Sequence, residues 1–359
     1  MTLQRRQFVQ SLGVGGAFAA GSIPANATST KSPGAGAKAH PMPSIFARRL
    51  QPGDTLGLVS PANATYEREP LQMAIESIQA LGFKVKLGTH VAARYGQFAG
   101  TDAQRASDIN AMFADDQVAG IIAVTGGSGC NRIVDKLDYA LIRQKPKFFG
   151  GFSDLTSLVN AINRQTGLVT FHCPVAGSEW NAFSVGHFKA MVMEAQAPLL
   201  RNPTDERGDN LVATQDRITT LRGGKGQGHL VGGNLAVLSS LAGSPYMPEF
   251  RGAVLFLEEI NEYIYRVDRM LSTLRLCGAL DQLAGVVLGK FTKCEPGDGN
   301  FGTLTLDEVF DDYFLPLNVP VYRGAMIGHI KRKFTIPVGG QVELNADAGT
   351  LQLLRPAVL

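Results

Sequence analysis

The chain has 359 residues, of which 45% are hydrophobic, with 34 Lys and Arg set against 31 Asp and Glu. That is apolar material for a large core, ordinarily divided in two, while the near balance of charge gives no electrostatic basis for nucleic acid or an anionic membrane as the main partner. Four widely spaced cysteines, Cys130, Cys173, Cys277 and Cys294, form no Cys-x-x-Cys pair. Neither a disulfide framework nor a zinc site is indicated, and a single bridge is left open.

The first segment reads as an address. Arg5 and Arg6 precede Phe8, a mildly apolar Gly/Ala-rich run follows from Leu12 to Ile23, and Ala25-Asn26-Ala27 gives small residues at a cleavage spacing. Residues 1–27 are therefore expected to be a twin-arginine signal peptide, placing the protein in the periplasm or otherwise outside the cytoplasmic membrane. The apolar run is too short and too poor in Leu and Ile to serve as a spanning anchor, and no later run is long enough to cross a membrane. Residues 28–45, rich in Ser, Pro, Gly, Ala and Lys, are expected to be a flexible linker.

From Gly53, short apolar runs alternate with helical periodicity. Strands are predicted at 55–59, 83–87 and 120–124, with helices at 71–81 and 102–113. This alternation predicts an α/β domain over 46–185, with a doubly wound parallel sheet and chemistry at the carboxyl ends of its strands. Two features fall at that edge. One is the loop Gly126-Gly127-Ser128-Gly129, which lacks the order of a dinucleotide fingerprint. It is either a tight turn with no ligand role or a source of a backbone N–H, from Gly127 for preference, for an oxyanion. Arg132, just beyond, either grips a substrate carboxylate or pairs with Asp135 or Asp138.

The other is Phe148-Phe149-Gly150-Gly151-Phe152-Ser153-Asp154-Leu155-Thr156. An apolar run ends in glycines, a serine stands at the break, and Leu155, Leu158, Val159 and Ile162 mark a buried helical face. A strand that turns straight into a helix exposes the serine hydroxyl as a nucleophile elbow does. The N–H of Asp154 and the helix dipole would then face a developing oxyanion. Leu155 stands where the usual elbow has its second glycine, so an ordinary N-capping serine is the competing reading.

Residues 186–226 read as a crossover and 227–359 as a smaller β-rich domain, of mixed-sheet or barrel-like form. Its clearest strand, 253–257, ends in Glu258-Glu259-Ile260-Asn261-Glu262. The tail is expected to be mostly β, with strands at 319–327, 334–338, 341–344 and 351–354. A serine nucleophile needs a base, and His329, closing the apolar strand 325–329, is the candidate, with a strand-end imidazole bonded to a carbonyl as the competing reading. Glu258, at the end of a buried strand, is satisfied by orienting that histidine. The alternative is a salt bridge with Arg266 or Arg269, which is the preferred reading for Glu259 and Glu262.

These residues carry a resemblance. The run 149–156 resembles the Gly-x-Ser-Asp-x-Thr segment of the LD-carboxypeptidases, the murein tetrapeptide carboxypeptidase family of serine peptidases. The likeness extends through Gln97-Phe98-Ala99-Gly100-Thr101, the glycine loop with Arg132, Val231-Gly232-Gly233-Asn234-Leu235, residues 257–271 and Gly328-His329, in family order. It implies a triad of Ser153, Glu258 and His329 in a cleft between two domains, with Asp154 and Gly127 holding the oxyanion. Ser128, Arg132 and Asn234 are then expected near substrate. The implied partner is a murein peptide from which D-alanine is released, with no metal or other cofactor, no nucleic acid and no integral membrane association. A homodimer is among the arrangements left open.

Two departures from the family stand out. Thr125 and Ser128 replace the arginine and tyrosine of the usual glycine loop, which bears on the peptide accepted, and the export signal contrasts with family members that act in the cytoplasm. A microcin-immunity-like peptidase acting on a peptide–nucleotide conjugate, and a non-catalytic binding protein for wall peptides, stay as alternatives. Penicillin-binding chemistry is disfavoured, because no serine has lysine at the Ser-x-x-Lys spacing.

Overall fold

Short apolar runs, buried on both faces in the strands at 55–59, 118–123 and 148–151, build the centre of the first sheet. A computed structural model describes residues 42–203, 209–212, 214–297, 299 and 302–359; the signal segment and the linker up to residue 41 lie outside the described residues. Five parallel strands, β1 (Thr55–Val59), β2 (Lys84–Leu87), β3 (Val118–Ala123), β4 (Phe148–Gly151) and β5 (Thr170–His172), stand in the order 2-1-3-4-5. This is a doubly wound arrangement, with β1 and β3 adjacent where the strand order reverses. Helices α1 (Arg68–Ala80), α2 (Asp102–Ala114), α3 (Tyr139–Gln144) and α4 (Thr156–Thr166) connect the strands. A capping box between Thr101 and Gln104 starts α2. The face of α4 carrying Leu158, Val159 and Ile162 is buried, as its spacing predicts.

Beyond α5 (Ala182–Phe188) come β6 (Leu199–Arg201), β7 (Thr219–Arg222), β8 (Lys225–Asn234), β9 (Ala253–Ile260), β10 (Gly285–Thr292), β11 (Val321–Arg323), β12 (Ile336–Val338), β13 (Gln341–Asn345) and β14 (Thr350–Leu353). Eight of these form a mixed sheet in the order 6-14-13-8-9-10-11-7, with β8 to β11 parallel at its centre and antiparallel strands on both flanks. Helices α6 (Leu235–Ser239), α7 (Ile264–Leu276) and α8 (Leu306–Phe314) complete this half.

Three expectations are corrected. The stretch 186–226, read as a connection, contributes β6 and β7 as the two edges of the second sheet. The strand near 334–338, read as part of the tail's own sheet, is β12, which pairs antiparallel with β5 and closes the edge of the first sheet. The apolar run at 325–329 is not a strand but a loop, since left-handed glycines at 324 and 328 break the ladder; Lys290 N–H still donates to Ile327 O at 2.9 Å. One apolar cluster joins residues of both sheets, Leu56 and Phe148 with Leu230, Phe256 and Tyr322. A second lies beneath the helices of the rear half, around Leu271, Phe310 and Phe314. The described residues from 42 onward pack as a single unit. Among the described residues no helix is long and apolar enough to cross a membrane.

Candidate active site

β4 delivers the chain to the carboxyl edge of the first sheet, and Ser153 turns it with φ 65°. A non-glycine residue in that region costs about 1–2 kcal/mol, and such strain concentrates at functional turns. Residues 153–155 form one 3₁₀ turn that runs directly into α4. The missing second glycine of the elbow is no obstacle, because Leu155 points into the core and is fully buried. Ser153 is not the N-cap of α4, a position that falls to Leu155. The Ser153 hydroxyl instead donates to His329 Nε2 at 2.9 Å.

The other ring nitrogen fixes this polarity. Nδ1–H of His329 donates to Glu258 Oε2 at 2.7 Å, which leaves Nε2 free to accept the serine proton. Glu258 is fully buried on β9, and its Oε1 has no hydrogen-bond partner among the described residues. Only a glycine at 328 lets the loop press this closely, since a Cβ there would stand 2.9 Å from Glu258 Cβ. The Phe152 ring packs against the imidazole with centroids 5.0 Å apart.

The neighbouring glutamates divide. Glu262 pairs with Arg266 at 3.3 Å, as its preferred reading had it. Glu259 pairs with no arginine among the described residues. It is buried and accepts from Asn234 Nδ2 (2.8 Å), Ala236 N–H (2.7 Å) and Ile260 N–H (2.8 Å). Burial outweighs those donors and pushes its carboxyl up to about 7.

The glycine loop lies against Ser153, close enough that a Cβ on Gly126 would stand 3.1 Å from its Oγ. It is pinned at both ends. Asn63, just past β1, accepts from Ser128 N–H at 3.0 Å and fills the space a Gly127 side chain would need. At the far end the buried carboxylate of Asp154 accepts from Cys130 N–H at 2.7 Å, and burial raises its pKa. The residue after Ser153 thus holds the loop that faces Ser153. Nothing in the periodicity singled out Asn63; its position at the carboxyl end of a parallel strand is the signal that was available.

A cleft of about 640 Å³ opens over Ser153 and His329, with Gly126, Gly127, Asn261 and Lys333 among its walls. Ser128, Arg132 and Asn234, expected near substrate, are not among the residues lining this cleft. Arg132 pairs with Asp102 at 2.9 Å and stacks on Phe98, rather than meeting Asp135, Asp138 or the cleft. Ser128 is exposed. Asn234 is buried, capping α6 and holding Glu259. The side chain that sequence reading missed is Lys333, which lines the cleft although nearly all its surface is buried. The four cysteines are unbridged.

Comparison with known proteins agrees with this architecture. The LD-carboxypeptidase N-terminal domain family matches residues 56–173, and the LD-carboxypeptidase C-terminal domain family matches residues 227–344. A probable murein peptide carboxypeptidase of Bacillus subtilis is 35% identical over 84% of this chain and 92% of its own. Among solved structures, the microcin C7 self-immunity protein in its apo state superposes with TM-score 0.78 at 25% identity, over 88% of this chain and 100% of that one. A muramoyltetrapeptide carboxypeptidase from Oxalobacter formigenes gives TM-score 0.68 at 29% identity, over 83% and 97%. Two family domains in sequence, on a matching fold, mean that this chain belongs to the LD-carboxypeptidase family of serine carboxypeptidases.

Proposed function

We propose that the protein hydrolyses the L,D-peptide bond that releases terminal D-alanine from murein tetrapeptide stems, with Ser153 as nucleophile, His329 as base and Glu258 as its orienting carboxylate. The observation that carries this reading is the continuous hydrogen-bonded chain Ser153–His329–Glu258 facing an open cleft. His329 Nε2 takes the hydroxyl proton as Ser153 Oγ bonds to the carbonyl carbon. The N–H groups of Gly127 and Asp154 receive the oxyanion. Nε2–H then protonates the amine of the departing D-alanine, the C–N bond breaks, and an acyl-enzyme remains. Water, deprotonated by the same imidazole, attacks that ester, releasing the tripeptide and restoring Ser153.

Incubation with a disaccharide tetrapeptide should release free D-alanine from wild type. Ser153→Ala should fall by about 10⁴-fold or more, and equal turnover by both proteins would overturn the reading. The likeness to the microcin self-immunity protein supports a second reading, in which an amide or acyl-sulfamate of a peptide–nucleotide is cut by the same triad; hydrolysis of that conjugate alone would select it. Tight binding of the muropeptide by both proteins without turnover would indicate a binding protein. Export by the twin-arginine route is part of the proposal and rests on Arg5, Arg6 and the Ala25-Asn26-Ala27 spacing. N-terminal sequencing of the mature protein should then begin at Thr28.

A further inference from the structure

An enzyme that removes one residue from the end of a peptide must read the free carboxylate there, and a cation beside the nucleophile does this most directly. Arg132 is outside the cleft and committed to Asp102. Lys331, on the rim, is 79% exposed at its side chain and pairs with Glu179 at 3.2 Å. Lys333 differs from both. It is only 7% exposed, and its ammonium stands 4.0 Å from the ring centre of Phe152, the residue immediately before Ser153. Its own N–H is tied to Ser184 Oγ at 3.1 Å on α5.

No carboxylate pairs with this ammonium among the described residues. Glu258, the carboxylate with the strongest pull on it, is already engaged by His329. Burial lowers its pKa to about 8 against the pull of Glu258 and Glu179, so near neutral pH it is a largely charged, poorly hydrated donor facing the cleft. The aromatic face offsets part of that desolvation. A cation held this way is short of one partner, an anion brought by substrate.

We propose that Lys333 anchors the terminal carboxylate of the substrate and so confines cleavage to the last peptide bond. This rests on the carboxypeptidase reading above. Charge-assisted hydrogen bonds set the scale: Lys333→Met should lower kcat/KM on a free-acid tetrapeptide by about 10- to 100-fold, mainly through KM. On the same peptide ending in a carboxamide, wild type should already be slow and Lys333→Met should lose no more than about twofold. Lys333→Gln, which keeps a donor without the charge, should resemble Lys333→Met, and Lys333→Arg should recover part of the loss. Equal losses on acid and amide, or none on either, would overturn the anchor.

A binding arm separates the anchor from the reaction. In a Ser153→Ala background, calorimetry should show the acid binding tighter than the amide by about 10-fold or more, with Lys333→Met abolishing the difference. If wild type fails to release D-alanine while this preference persists, the reaction assignment fails and the anchor stands. If turnover is normal and the preference is absent, the anchor fails alone.

Discussion

At neutral pH the Lys333 ammonium is largely charged in a place that burial disfavours, since its pKa drops from 10.5 to about 8. A base whose folded pKa lies below its unfolded one contributes stability that is intact above about pH 10.5 and lost as pH falls through about 8. Lys333→Met should therefore raise stability at pH 7 by up to about 3 kcal/mol, and the gain should vanish near pH 11. Urea unfolding of both proteins at the two pH values checks this; a variant less stable at pH 7 would contradict it. Glu259 works in the opposite sense, its contribution present below about pH 4.5 and lost as pH rises through about 7. Such residues were hard to read in the sequence. Ser153 stood at a visible strand-to-helix break and His329 was one of six histidines, whereas Lys333 was one of 34 basic residues and only folding gave it an aromatic neighbour.

The turn from β4 to α4 was legible because two periodicities meet there, an apolar run and a helical face. Its strain was not, since φ at Ser153 is imposed by packing on either side. Replacing Ser153 by glycine should give a protein about 1 kcal/mol more stable than Ser153→Ala, because glycine enters the left-handed region without penalty; thermal melts of the two variants decide it. The neighbouring loop makes a sharper demand. A Cβ at Gly127 would sit 2.1 Å from Asn63 Cγ, at φ 123°. Gly127→Ala should displace the loop and lower kcat by about 100-fold, while circular dichroism shows the fold retained. α8 was missed although Thr305 and Glu308 form a capping box ahead of Val309, Phe310 and Phe314. β5, only three residues long, gave too little pattern to register.

Across the whole molecule the sequence divided the chain more cleanly than packing does. A strand's alternation tells which face is buried but not which sheet it joins, and β12 crosses from the rear half to complete the front sheet. With an apolar cluster also shared between the sheets, residues 42–359 should unfold in one cooperative transition. A fragment of residues 42–185 should bind hydrophobic dye and melt without a sharp transition, because it bares the edge of β5; cooperative melting of that fragment would contradict this. The loop bearing His329 is strung between β11 in one sheet and β12 in the other. On the proposed assignment, a ribosome that has made Ser153 still holds an inert chain, and hydrolytic competence arrives only with the last tenth of translation, so a prematurely terminated product would pose no threat to the peptides around it.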